Sequence, residues 1–189
     1  MEKGKCIIFS APSGAGKTTI VKYLVGKMPE LEFSISACSR PMRPGERDGF
    51  DYYFLSASDF KEKIKADAFV EWEEVYTDSF YGTLKSELQR IWSKGNCAVF
   101  DVDVVGGINL KKLFGEQAIS IFIQPPSLAE LENRLVKRGT ETAESLAKRV
   151  SKAEKELQSA AYFDHIVVND DLAIAKEETE KLVRGFVVN

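Results

Sequence analysis

Apolar and polar positions along this chain follow two periods, and the switches between them outline a fold. Unbroken apolar runs at 6–10, 97–102, 118–123 and 165–168 have no polar face and read as buried parallel strands, joined by a shorter run at 33–36. Helical spacing fills the stretches between them, at 16–27, 83–94, 104–114, 128–137, 142–160 and 172–185. Ile20, Tyr23, Leu24 and Lys27 make the first of these amphipathic, and Leu146, Val150, Ala153 and Leu157 form an apolar seam along the fifth. Ser127 followed by Glu130 is a capping box for the fourth. Strand–helix alternation of this kind predicts an α/β fold, a parallel sheet with helices on both faces. Two segments interrupt it. Residues from about 39 to 82 are rich in Pro, Gly and aromatics, with a strand-like 51–55 and a short helix at 58–66. Residues 127–160 are a helix pair around Gly139-Thr140 that carries three arginines. Both read as flaps at the edge where strand carboxyl ends meet ligands.

Composition narrows the class. The 189 residues, 44% hydrophobic and 29% charged, suit one globular domain with appended flaps. A net charge of −3 argues against general nucleic-acid binding. Arginine is unevenly spread: six of the eight (Arg40, Arg43, Arg47, Arg134, Arg138, Arg149) fall in the two flaps, which concentrates phosphate-binding potential there. Cys6, Cys38 and Cys97 are odd in number and widely spaced, which suits reduced core cysteines better than disulfides or a zinc site. No apolar stretch approaches the ~20 residues of a membrane span, and the Met-Glu-Lys start lacks a signal-peptide pattern. The expectation is a cytoplasmic protein without a membrane partner, a monomer or weak homo-oligomer.

The chemistry starts at Ala11-Pro12-Ser13-Gly14-Ala15-Gly16-Lys17-Thr18-Thr19, directly after the first apolar run. A strand that breaks into small residues, ends in Gly-Lys-Thr and opens a helix is a polyphosphate cradle. Its backbone N–H groups point inward, Lys17 reaches the β/γ-phosphates, and the Thr18 hydroxyl ligates Mg²⁺. Ala11 departs from the pattern, which begins with Gly, and is tolerable only at negative φ. The plain alternative is a small-residue turn with no ligand.

A second signature is longer. Ser36-Ala37-Cys38-Ser39-Arg40-Pro41-Met42-Arg43-Pro44-Gly45-Glu46 continues through Gly49-Phe50-Asp51-Tyr52-Tyr53-Phe54, with Val70-Glu71-Trp72 and Phe80-Tyr81-Gly82-Thr83 further on. With the phosphate loop, Phe100-Asp101-Val102-Asp103, the Arg134 to Thr142 segment and Val167-Val168-Asn169-Asp170-Asp171, the chain resembles guanylate kinases over nearly its whole length. The resemblance implies a P-loop NTPase-type parallel sheet flanked by helices, with an inserted mixed α+β GMP-binding flap and a helical lid. It divides a single domain into a core (1–38, 84–126, 161–189), the flap (39–83) and the lid (127–160). It implies Mg²⁺-dependent transfer of the ATP γ-phosphoryl group to GMP, and to dGMP as well.

Carried over residue by residue, the resemblance implies that Arg40, Arg43, Tyr52 and Tyr81 hold the GMP phosphate, with Glu46 in the GMP-binding set. The chemistry agrees, because two arginines on a proline-stiffened loop can converge on a dianion and the phenols donate without adding charge. A solvated arginine pair is the alternative. Guanine offers two adjacent donors, and Glu71 matches the family's base-reading carboxylate, assisted by Ser36 and by Thr83, which stands where Ser is usual. Asp101 ends an apolar run in the place of a Walker-B carboxylate near Mg²⁺. Asp103 shares its side if the strand persists, and the resemblance puts both near GMP. Either could instead cap the helix that begins near Val104. Arg134, Arg138 and Arg149 are the implied catalytic arginines of the lid, alongside Lys17 and Arg40, their alternative being a charged solvent face. Asn169 and Asp170 are candidates for adenine contact. His165, the one histidine, is expected to be structural. Two rival functions stay open: a monophosphate kinase with another base preference, and a scaffold that binds phosphorylated peptides in the old GMP pocket.

Overall fold

A computed structural model of the chain describes residues 4–137 and 143–188. Its strands are β1 (Cys6–Ser10), β2 (Leu31–Phe33), β3 (Ala37–Cys38), β4 (Tyr53–Phe54), β5 (Phe69–Tyr76), β6 (Ser79–Leu84), β7 (Cys97–Asp101), β8 (Ala118–Gln124) and β9 (His165–Val168). The helices are α1 (Lys17–Lys27), α2 (Ala57–Lys65), α3 (Lys85–Trp92), α4 (Val104–Phe114), α5 (Leu128–Lys137), α6 (Ala143–Gln158) and α7 (Leu172–Val188). Five strands form a parallel sheet in the order β2-β7-β1-β8-β9, and four form a mixed sheet in the order β4-β3-β6-β5. Contacts divide the chain into two compact units: residues 32–98 with Gly4, and residues 5–31 with those from 99 onward. The segment expected as the flap, 39–83, falls in the first unit, and 127–160 falls in the second. Among the described residues no helix is long and apolar enough to cross a membrane.

The second unit is built on β1, whose five residues are all buried, as their uninterrupted apolar run requires. β8 pairs with it in parallel from Cys6 opposite Ala118 to Ser10 opposite Phe122. α4 lies so close that a side-chain carbon at Gly107 would come within 2.2 Å of the Ser10 hydroxyl oxygen. Asp103 caps α4 by accepting the Gly106 N–H, and the Ser127 hydroxyl does the same for Glu130 at the start of α5. The expected buried strand at 165–168 is corrected: β9 ends the sheet, and only Val167 is buried. With one neighbour instead of two, it leaves His165, Ile166 and Val168 exposed.

In the first unit, Ala37, Phe60, Phe69 and Phe80 form a small core, with Phe60 and Phe69 stacked at 4.3 Å between ring centroids. The β5–β6 hairpin departs from expectation. Its strands are read from no apolar run, because β5 carries Glu71, Glu73 and Glu74 and is an edge strand exposed over most of its length. It turns at Thr77-Asp78, where Asp78 takes φ +60°. The hairpin claims Thr83 and Leu84, so the helix expected at 83–94 is α3, Lys85–Trp92. The strand expected at 33–36 is likewise corrected to Leu31–Phe33. Beyond it, the Ile35 N–H donates to the Glu87 carboxylate and the Ser36 carbonyl accepts from the N–H of Tyr53 in β4, so neither extends β2. The strand-like 51–55 shortens to Tyr53–Phe54. The three cysteines are buried, in keeping with the core positions expected of them.

Glu87 organises this unit. It is 2% exposed and accepts from the Ile35 N–H, the Tyr53 hydroxyl and the Arg90 guanidinium at 2.8–2.9 Å. Burial pushes its carboxyl up, but Arg90 and the two other donors outweigh that and leave it below the ordinary 4.5. The stability it supplies is complete above pH 4.5 and is lost as pH falls toward the lowered native value. Glu87→Ala, which strands three donors, is expected to lower stability by about 2–3 kcal/mol, read by urea denaturation at pH 7. The difference from the parent should shrink below pH 4.5.

Candidate functional site

The phosphate-loop sequence forms the turn its composition demands. Gly14 and Gly16 both stand at φ +96°, open to glycine at little cost, and Gly16 is the N-cap of α1. Positive φ occurs in only two described non-glycine residues, Asp67 and Asp78, so Ala11 keeps the negative φ that its methyl group requires. Residues 11–14 and 16–19 line a cavity of about 330 Å³ with Asp101, Val102, Asp103 and the α6 residues Arg149, Lys152 and Glu156. Ala15 is the one member of the loop outside that lining; it is buried beneath it.

Asp101 holds the centre of the cavity. One of its oxygens meets Lys17 Nζ at 2.5 Å, and the other accepts from the Thr18 hydroxyl at 3.1 Å. Lys17 also donates to the Val102 carbonyl. A hydroxyl and a carboxylate side by side at an open phosphate cavity suit Mg²⁺, which takes one or two protein oxygens and completes its shell with substrate phosphate and water. No cluster of three or more acidic, His or Cys side chains offers an all-protein site among the described residues. Asp103 does cap α4 through one oxygen, and its carbonyl accepts from Ser10, so the capping alternative is realised for Asp103 while Asp101 meets Lys17 and Thr18.

The lid arginines separate. Arg149 reaches the loop, donating to the Ser13 hydroxyl at 3.2 Å. Arg134 does not line the cavity and bonds Glu130 one turn back on α5. Arg138 lies outside the described residues. Two residues missed by the sequence reading, Lys152 and Glu156, extend the Arg149 face at spacings of three and seven. Their ion pair spans 3.5 Å. Burial raises the Glu156 carboxyl despite Lys152, and Asp103 adds to the rise. Asn169 is buried, and its side-chain amide donates to the Ala15 carbonyl.

In the first unit Arg40 leaves β3 and is clamped at once. Its two terminal nitrogens meet the two oxygens of Glu46 at 2.6 and 2.7 Å, and the guanidinium lies over the rings of Tyr52 and Phe54 at 4.9 and 5.5 Å. Arg40 holds the Glu46 carboxyl down to about 2, and the Arg43 N–H assists. Glu46, and secondarily Tyr81, hold the Arg40 proton more tightly than usual. Tyr52 and Tyr81 pack edge to face at 6.0 Å; burial, then Tyr81, raises the Tyr52 phenol, which therefore stays a neutral donor. Arg43 is exposed on the same loop, and Ser36 precedes β3. Glu71 and Thr83 face one another across the β5–β6 ladder, with the Thr83 hydroxyl donating to Glu71 at 2.8 Å. Gly82 lets the strands approach: a side-chain carbon there would lie 2.6 Å from the Glu71 carbonyl oxygen.

A parallel sheet whose central strand runs into this loop, beside a strand ending in Asp101, defines a phosphate-loop nucleotide-binding fold. The chain resembles a solved guanylate kinase from Anaplasma phagocytophilum with a TM-score of 0.75 and 24% identity, covering 100% of this chain and 89% of that one. At that identity the likeness speaks for the fold alone. The sequence model of the guanylate kinase family matches residues 3–185. A guanylate kinase of Bacteroides fragilis is 51% identical over 98% of this chain and 91% of its own length. One from Porphyromonas gingivalis is 50% identical over 97% and 98%. The chain belongs to the guanylate kinase family, enzymes that use ATP to phosphorylate GMP to GDP.

The loop geometry predicts unequal costs for two exchanges. Ala11→Gly should cost at most about 1 kcal/mol, through a floppier unfolded chain. Gly16→Ala should cost at least ~1–2 kcal/mol from positive φ alone. Its methyl would also meet the Asn169 amide nitrogen at 2.3 Å, which must then move. Thermal denaturation of the two variants beside the parent checks the order.

Proposed function

We propose that the chain transfers the γ-phosphoryl group of ATP in line to GMP, with ATP in the phosphate-loop cavity and GMP on the residues of the 39–83 segment. The observation that carries this is the convergence of Lys17 and Thr18 on Asp101, the machinery a phosphopeptide scaffold would not need. Glu71, held by Thr83, is the base reader: its carboxylate can accept both adjacent guanine donors, whereas adenine N1 would face it acceptor to acceptor. Arg40, Arg43, Tyr52 and Tyr81 take the GMP phosphate, with Glu46 orienting Arg40. These assignments use the phosphate and the base and leave the ribose 2′-hydroxyl without a partner, so dGMP is accepted too.

The nucleophile is a GMP phosphate oxygen already ionised at neutral pH, so no general base is required. The difficulty is that two polyanions must approach in line. Lys17, Arg40 and Arg149, joined by Arg134 and Arg138 when residues 127–160 act as a lid, supply positioning and charge stabilisation of the moving phosphoryl. The Thr18 hydroxyl and the Asp101 carboxylate would hold Mg²⁺, which neutralises charge on the phosphate oxygens. A lid that excludes water also suppresses hydrolysis of ATP.

ADP release measured with ATP alone, then with GMP, dGMP, AMP, CMP or UMP added, tests the reading. Release should be stimulated by the two guanine nucleotides, and equal stimulation by AMP would overturn the base assignment. Lys17→Ala should lower kcat by about a hundredfold or more, because transition-state charge loses a preorganised partner. Glu71→Gln turns one acceptor into a donor that opposes guanine's own donors. It should lower kcat/KM for GMP by roughly a hundredfold while AMP stays flat or improves. Parent-like use of GMP by that variant would remove Glu71 from base recognition.

A further inference from the structure

Asn169 follows β9 and is 4% exposed, an unusual place for a side chain with four hydrogen-bonding sites. Its backbone is fixed to the end of β8, the N–H donating to the Gln124 carbonyl at 2.7 Å. Its side-chain amide then crosses to the phosphate loop and donates to the Ala15 carbonyl at 2.7 Å. The amide occupies space that only a glycine leaves, since a side-chain carbon at Gly16 would lie 2.3 Å from its nitrogen. The bond joins residues 154 positions apart and ties the loop to the far side of the sheet.

The consequence follows from peptide planarity. In a trans peptide the carbonyl of one residue and the N–H of the next point in opposite directions. No peptide bond among the described residues is cis. Holding the Ala15 carbonyl inward on Asn169 therefore turns the Gly16 N–H outward. Ala15 is buried beneath the cavity and Gly16 lines it, in agreement with that orientation. With both residues before Lys17 otherwise small, and Gly16 at φ +96°, no side chain of the loop itself holds this peptide against a flip.

We propose that Asn169 is a positioning residue for the phosphate site: it sets the Ala15–Gly16 peptide so that the Gly16 N–H faces the nucleotide's phosphates. The proposal rests on the reading of the cavity as a polyphosphate site. It assigns Asn169 to the phosphates through the loop, not to adenine. Only a donor can fill the role, because the partner is a carbonyl oxygen.

The test compares a ligand with a base to one without. Calorimetry without GMP measures ATP and inorganic tripolyphosphate on the parent, Asn169→Ala and the near-isosteric Asn169→Asp, whose carboxylate cannot donate at neutral pH. Both ligands should weaken by the same factor, about tenfold or more, in both variants. GMP affinity, measured separately, should hold, which shows that the variants are folded and that the loss is local. Loss of ATP alone, with tripolyphosphate unchanged, would make Asn169 an adenine contact and overturn the proposal. Unchanged affinity for both ligands would reduce the bond to a structural tie and overturn it too. Should the variants not fold, the parent still decides. Its Gly16 amide resonance must shift on titration with tripolyphosphate, and an unmoved resonance in a protein that binds the ligand refutes the orientation. A parent that binds neither ATP nor tripolyphosphate removes the phosphate-site reading itself, and this proposal with it.

Discussion

A turn through two left-handed residues, Gly14 and Gly16, is the constraint from which the rest of the second unit follows. β1 is wholly buried, so the chain must leave the sheet core and reach the surface within a few residues. Small residues make that exit possible and leave the loop with few side chains of its own to stabilise it. The neighbours supply what is missing. Leu131 and Leu135 of α5 close on Gly14 so tightly that a side-chain carbon there would approach them to 3.0–3.2 Å. Asn169 fills the space at Gly16, and Asp101 holds Lys17 and Thr18 at the mouth of α1. Distant parts of the chain are thus packed onto the glycines of the loop.

Three of the cations assigned to phosphate share a second property: a carboxylate is already on them. Lys17 has Asp101, Arg40 has Glu46 and Arg134 has Glu130. In a chain of net charge −3, this local pairing offsets the charge of each basic group where it stands. The pairs differ in what a phosphate would do to them. Glu46 is held near 2 and grips both terminal nitrogens of Arg40, so it stays charged and fixes the direction of the fork. Glu156 is raised by burial and by Asp103, which makes its carboxyl easier to neutralise than an ordinary glutamate beside an arriving polyanion.

Legibility in the sequence tracked how local the determining physics is. The α4 and α5 boundaries, the Ser127 cap and the Ala11-to-Thr19 loop depend on neighbours within a few residues, and all could be read directly. So could the pairing of Glu71 with Thr83, once a family resemblance marked the two residues. The β5–β6 hairpin was hidden because its edge strand carries three glutamates, so the apolar alternation that marks a half-buried strand is missing. Glu87 has the same letters around it as any surface helix, and its burial is decided by Ile35 and Tyr53, far away along the chain. The exposure of His165 depends on its strand lying last in the sheet, an order that no local pattern encodes.

The connectivity also sets a timetable for synthesis. Among the strands β1 is made first, yet its neighbours β7 and β8 begin only at residues 97 and 118, and Asn169 is made later still. The unit formed by residues 32–98 is nearly continuous and can condense while β1 waits unpaired. A nascent chain thus completes its β5–β6 hairpin well before Asn169 is available to brace the 11–19 loop. The tie between Asn169 and the Ala15 carbonyl can form only late in synthesis, after every strand of both sheets has been made.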